Sequence, residues 1–235
     1  MQRISNSIYQ INLGWVNVFV IEDNGLTLIG TGPKGSGRKI FKAIRAAGKN
    51  PKDIKQIILT HLHPDHAGSA EEIKRILRVP VIAHADDAEI MRYGIAFRKE
   101  LCLTPGLKNW LIYHLAIKRS GINIDPVEIV RPLKHNDLLP LLGGIRVIHT
   151  PGHSKGHISL LVEKEEVLIA GDLLSNTLGL ALSVIYEDLQ EGMRSINKIT
   201  NLDFEKIVFG HGRPILSNAG GIIRQAFNRY NYSFI

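Results

Sequence analysis

The chain has 235 residues, 44% of them hydrophobic, with a formal net charge of +7 and a single cysteine. That length and apolar content support one large core, and two-sheet sandwiches of this size commonly count as a single domain. Cys102 alone excludes an internal disulfide and makes a reducing cytoplasm the expected location. Met1 to Gln10 lack the charged start and long apolar stretch of a signal peptide, and no segment approaches the ~20 apolar residues of a membrane span. Basic residues are scattered without a block of like charge, so solvated faces account for the charge better than a nucleic-acid partner.

Asn17 to Ile21 and Leu26 to Ile29 read as a hairpin turning at Glu22-Asp23-Asn24-Gly25. Gly32 to Gly37 suggests a phosphate-cradling loop, but no Gly-Lys-Ser/Thr closes it. An ordinary turn into a helix is expected, with Ile40, Phe41, Ile44 and Ala47 on one face. Ile57-Ile58-Leu59 reads as a buried strand, and directly after it comes His61-Leu62-His63-Pro64-Asp65-His66. A core strand has no use for such a run of imidazoles and a carboxylate, whereas a loop at a strand end can turn them all toward one point. Imidazole nitrogen and carboxylate oxygen are the donors that zinc and similar borderline ions accept. Ala67 to Leu77 is predicted as a helix leaving this loop, with Glu71 and Glu72 toward solvent, and Val79 to Ala83 as the next strand.

From Ala85 to Leu133 the alternation of strand and helix lapses. Two helices are predicted there, about Asp86 to Leu101 and Gly106 to Arg119, broken at Thr104-Pro105-Gly106. Met91, Tyr93, Phe97, Leu107, Trp110 and Tyr113 give this stretch an apolar surface that either packs on a sheet or serves as a lid or dimer contact. Farther on, ligand-type residues recur in one context. His153 follows Thr150-Pro151-Gly152 after the apolar-rich Ile145 to Ile148; Asp172 follows Val167-Leu168-Ile169-Ala170-Gly171; His211 sits in Gly210-His211-Gly212 after Ile207-Val208-Phe209. Each stands past a strand-like run beside glycine, which lets the backbone turn sharply and approach a neighbour closely. With the four donors of the earlier loop, these suffice for two metals sharing one bridging carboxylate. His157 is expected to support a ligand rather than to be one, and His84 to face solvent or a neighbour. His149 is expected to be hydrogen-bonded at a strand end, and His114 and His135 to lie on the surface or lid. Lys155 is a weaker candidate for meeting a substrate carboxylate.

The order HxHxDH, His, Asp, His resembles the metallo-β-lactamase superfamily of hydrolases, over nearly the whole chain from Val16 to Gly212. The resemblance implies an α+β fold, a four-layer αββα sandwich of two mixed β-sheets flanked by helices. It implies one domain over residues 1–235, with a helical lid-like insertion at about 85–133. It also implies His61, His63 and His153 as ligands of a first metal, Asp65, His66 and His211 as ligands of a second, and Asp172 as the bridge. One position departs from the family pattern. A strand that usually ends in Asp-Thr-Gly ends here in Gly30-Thr31-Gly32. The missing aspartate is a supporting group rather than a ligand, and losing such a partner typically costs ~10–100-fold in metal affinity or activity.

Two divalent ions are therefore expected as cofactors, zinc by ligand type, with iron or manganese as the alternatives. Held by imidazoles and two carboxylates, they lower the pKa of bound water to ~7 and create a nucleophile at neutral pH. Asp65 and Asp172 are the carboxylates expected to take part in catalysis, Asp65 by orienting that water and moving its proton. A carboxylate at Asp172 departs from true β-lactamases and is closer to the lactonase and glyoxalase II-like branch. Only 24 residues follow His211, fewer than the C-terminal helical region that glutathione thioesterases use. The expected partner is a small molecule, a lactone, thioester or related ester, with neither membrane nor nucleic acid; a homodimer is the expected assembly if the segment near 85–133 is a contact surface. The alternatives are a persulfide dioxygenase-like enzyme with one iron on His61, His153 and Asp172, and phosphodiesterase, nuclease or β-lactamase activity at the same site.

Overall fold

Strands Asn17–Glu22 and Leu26–Ile29 pair antiparallel with Phe19 opposite Ile29, and the chain reverses at Asn24-Gly25, where the sequence places the turn. The structure, a computed structural model, describes residues 1–98, 101–115, 117–119 and 123–227. It comprises two compact units, residues 1–98 with 121–134, and residues 99–120 with 135–235. The fold is mixed α+β, with several sheets and flanking helices.

The first unit is built on a seven-stranded sheet. Its order is Gln2–Arg3, Ile8–Asn12, Asn17–Glu22, Leu26–Ile29, Ile54–Ile58, Val81–His84 and Arg131–Leu133. Pairing is antiparallel through the hairpin and parallel from Leu26–Ile29 onward. Parallel neighbours send their following loops out at the same sheet edge. Residues 30–32, 59–63 and 84 therefore leave at one edge, and the Gly30 N–H donates to the Ile58 carbonyl there (2.9 Å). One face of the sheet carries Val18, Val20, Leu28, Ile57 and Val81. Ile40, Phe41 and Ile44 from helix Gly37–Ala46 close over them, as do Ala70 and Ile73 from helix Ala70–Leu77.

The helix expected over Ala67 to Leu77 is two helices, Pro64–Ala67 and Ala70–Leu77. The break has a hydrogen-bonding cause. In a continuous helix the His66 carbonyl would accept from the amide four residues on. Here Thr31 takes that carbonyl with both its N–H (2.7 Å) and its Oγ1 (2.8 Å). Glu71 and Glu72 are half-buried rather than on an open face. The expected helix from Asp86 is Ala85–Met91 and stops early, because the amides of Tyr93 and Gly94 turn back to Ile90 and Met91 while Gly94 O accepts from Ile124 N. The second expected helix spans Leu107–Leu115. Positions 99, 100, 116 and 120–122 of that stretch, and the tail 228–235, lie outside the described residues.

The second unit holds a five-stranded sheet ordered Lys206–Val208, Val167–Ile169, Ile158–Val162, Ile145–His149 and Leu138–Leu139. Val167–Ile169 and Lys206–Val208 run parallel; the remaining pairs are antiparallel. Helices Leu189–Thr200 and Ala219–Phe227 cover Leu161, Leu168 and Ile207 with Ile196, Ile199 and Ile223. Helix Leu107–Leu115 buries none of its residues; Leu107, Trp110 and Leu115 are 75%, 49% and 60% exposed. Among the described residues no helix is long and apolar enough to cross a membrane.

Ile57 is fully buried at the centre of the first unit's core. Ile57→Ala is expected to cost about 2–5 kcal/mol, read from the urea midpoint at unchanged slope.

Candidate metal centre

The ligand-rich loop of the first unit begins where strand Ile54–Ile58 ends. Proline at the first helical position suits a helix start, and the amides of His66 and Ala67 both donate to the His63 carbonyl (2.9 Å each). This turn folds His66 back over His61. The His61 and His66 rings lie 4.3 Å apart between centroids, and His61 and His63 meet edge to face at 4.8 Å. His61, His63 and His66 are buried, and Asp65 is partly open, with Oδ2 3.4 Å from His66 Nε2. Thr60 Oγ1 lies 3.1 Å from His61 Nδ1 and orients that ring by its other nitrogen. All four residues expected from this loop are thus gathered within one unit.

In the second unit three strand ends supply the other expected residues. Asp172 Oδ2 stands 3.0 Å from His211 Nε2 and 3.6 Å from His153 Nε2. The layer behind them settles tautomers. His153 Nδ1 meets the Ile185 carbonyl at 2.9 Å. A carbonyl only accepts, so Nδ1 carries the proton and Nε2 offers its lone pair. His157 has the same tautomer but a different use of it: its Nδ1 donates to the Thr150 carbonyl (3.1 Å) and its Nε2 accepts from the Asp172 N–H (3.0 Å). With Nε2 committed to the Asp172 backbone, His157 is a support, as its place in the sequence suggests.

Sequence reading missed the segment that braces this half. Ser183 Oγ donates to the Asp172 carbonyl (2.5 Å), and Tyr186 Oη donates to the Leu173 carbonyl (2.6 Å) while accepting from the Ser183 N–H (3.1 Å). Burial pushes the Tyr186 hydroxyl far up, so it stays a neutral donor. No ligand spacing marks Ser183 or Tyr186. Strand Ile185–Tyr186 pairs with Cys102–Leu103, and Thr104 adds its N–H to Val184 O (2.9 Å) and its Oγ1 to Ser183 O (2.6 Å). Leu103, Pro105, Leu107 and Trp110 then line an open apolar hollow.

The remaining sequence candidates are quickly placed. His84, expected to face solvent or a neighbour, is buried and accepts the Asp86 N–H at the start of helix Ala85–Met91 (3.2 Å). His149 is half-buried at its strand end, Nε2 2.9 Å from Lys155 O, while His114 stacks on Trp110. The Lys155 backbone N–H donates to Glu187 (2.7 Å). Gly30 sits at φ +73°, a conformation L side chains rarely adopt, although a Cβ there would meet only Val18 at 3.6 Å and the His66 carbonyl at 4.0 Å.

The family model described as the metallo-beta-lactamase superfamily matches residues 12–211. The chain belongs to the metallo-β-lactamase superfamily. Among its relatives, "Probable metallo-hydrolase YflN" of Bacillus subtilis (strain 168) is 29% identical over 230 residues, covering 90% of this chain and 86% of the relative. "N-acyl homoserine lactonase" of Bacillus cereus is 30% identical over 128 residues, covering 54% of this chain and 40% of the relative. The crystal structure of the metallo-beta-lactamase GOB-18 from Elizabethkingia meningoseptica matches at TM-score 0.74 and 23% identity, covering 99% of this chain and 89% of that one. That last likeness establishes the metallo-β-lactamase fold, and the family places this chain among metal-dependent hydrolases.

The loop carrying His153 depends on close backbone approach. Gly152 has φ +126°, and a Cβ there would lie 2.2 Å from the Gly192 nitrogen. Gly152→Ala is expected to destabilise the protein by about 1–3 kcal/mol or more, measurable by chemical denaturation.

Proposed function

We propose that His61, His63, Asp65, His66, His153, Asp172 and His211 hold a pair of divalent metal ions. The ions are zinc by donor type, His61, His63 and His153 serving one, Asp65, His66 and His211 the other, and Asp172 both. The observation that carries this reading is one carboxylate oxygen, Asp172 Oδ2, set against two imidazole nitrogens at 3.0 and 3.6 Å. Carboxylate oxygen and neutral imidazole are the donors such ions take, and the fixed Nδ1–H of His153 turns Nε2 toward the metal.

The reaction is hydrolysis of a lactone, thioester or related ester with an apolar acyl part. Bound metal supplies Lewis-acid polarisation of the carbonyl and makes water acidic enough to attack near neutral pH. Asp65, more open than the imidazoles around it, would orient the attacking water and take its proton. Two observations support the ester class. The apolar hollow at Leu103 to Trp110 is anchored on Ser183–Tyr186, the segment that also braces Asp172 and His153. A relative across half of this chain is named as an N-acyl homoserine lactonase.

Elemental analysis of the purified protein is expected to find about two zinc-type ions per chain, and lactone or thioester turnover is expected to exceed phosphodiester or β-lactam turnover. About one iron per chain with oxygen consumption on a persulfide would replace this reading with the dioxygenase. His61→Ala and Asp172→Ala are each expected to abolish hydrolysis while the circular dichroism spectrum persists. Gly30→Asp has room for its Cβ but stands at φ +73°, which strains any L residue, so it is expected to lower stability while raising zinc retention against a chelator, toward the ~10–100-fold that such a support contributes. Equal or weaker retention would remove Gly30 as a weak point.

A further inference from the structure

Leu62 is the residue between two of the proposed ligands, and its peptide lies where the strand has ended and the helix has not begun. Its N–H donates to Asp87 Oδ2 at 3.1 Å. Asp87 lies on helix Ala85–Met91 with its side chain wholly buried. Arg98 reaches the same carboxylate, with Nη1 2.9 Å from Oδ1, and also donates to the Asp86 carbonyl. The residue before Arg98, Phe97, stacks on the His63 ring at 4.5 Å. A two-residue segment therefore grips the ligand loop twice, once through a ring and once through a buried ion pair. All of these groups belong to one unit.

A buried ion pair is a costly way to gain stability, since apolar residues of similar volume often serve as well or better. What apolar residues cannot do is accept the Leu62 N–H. That N–H belongs to the His61–Leu62 peptide unit, and Leu62 carries the chain from it into His63, so rotating this unit would disturb the backbone on which both imidazoles stand. On the other side of the loop, where the family pattern has an aspartate, Gly30 offers no side chain. We infer that Asp87, held by Arg98, is a positioning residue that fixes the Leu62 peptide and so the bite of His61 and His63 on their metal. This inference rests on the metal-site reading above.

The test compares zinc affinity, by chelator competition, with the melting temperature of the metal-stripped protein. Asp87→Leu/Arg98→Met removes the acceptor without stranding a buried charge, and zinc affinity is expected to fall ~10–100-fold. Asp87→Asn/Arg98→Met returns a neutral acceptor to Leu62 and is expected to recover most of that loss. Loss and recovery of zinc affinity are expected not to follow the melting temperatures, as they would if the pair only stabilised the fold. If the leucine variant fails to fold, Asp87→Ala/Arg98→Met, too short to reach Leu62, replaces it in the same comparison. Wild-type zinc affinity in the acceptor-free variant, or no recovery with asparagine, overturns the positioning role. Parent protein that holds no zinc overturns the metal site itself, and the positioning role with it.

Discussion

A strand that ends in the interior leaves its next peptide groups without a ladder, and the cost of burying them bare shapes the loops that carry candidate ligands. The Leu62 N–H goes to Asp87, the His66 carbonyl to Thr31, the Asp172 N–H to His157 and the Asp172 carbonyl to Ser183. The Gly152 and His153 carbonyls accept from Asp188 and Glu187. Each bond is off-ladder, and each fixes a peptide next to a ligand-type side chain. The second layer of the site is thus the same set of contacts that makes these loops foldable. Loosening one costs stability and ligand geometry together.

That coupling explains why the supporting residues are diverse. A backbone N–H needs an acceptor of the right reach, and a carboxylate, an imidazole or a hydroxyl will serve. Asp87 and His157 do the same job for two different loops, one as half of an ion pair and the other as a neutral ring. Thr31 does the reverse for a carbonyl, and in doing so splits the helix that leaves the ligand loop. The short helix Pro64–Ala67 that results folds His66 over His61; a helix running straight on would need the His66 carbonyl for its own next turn.

The apolar runs Ile57–Leu59, Val167–Ala170 and Ile207–Phe209 were legible because strand burial demands them, and the donors after each run stood out because a core strand has no use for them. The hairpin at Asn24-Gly25 was legible from turn chemistry alone. What stayed hidden depends on distant partners. Thr31 breaking a helix beyond residue 67, and Gly94 turning the chain out of helix Ala85–Met91 to meet Ile124, are contacts across 35 and 30 positions. No local propensity encodes them. Asp87 and Arg98 look in sequence like an ordinary charged helix and its flank, and Ser183–Tyr186 like a loop. Their roles exist only once the loops they brace have closed.

His153 and His157 show how far residue type alone can go. They are four positions apart, both buried, and their rings meet at 5.7 Å. What separates them is the fate of each Nε2. The Ile185 carbonyl accepts from the first and so keeps its proton on Nδ1, with Nε2 turned toward Asp172 Oδ2. A carbonyl from Thr150 does the same to the second, but its Nε2 is spent on the backbone of the very residue whose carboxylate the first one faces. One imidazole is thereby a donor to the site and the other a strut behind it. The division is made by one backbone N–H, that of Asp172, rather than by the histidines themselves.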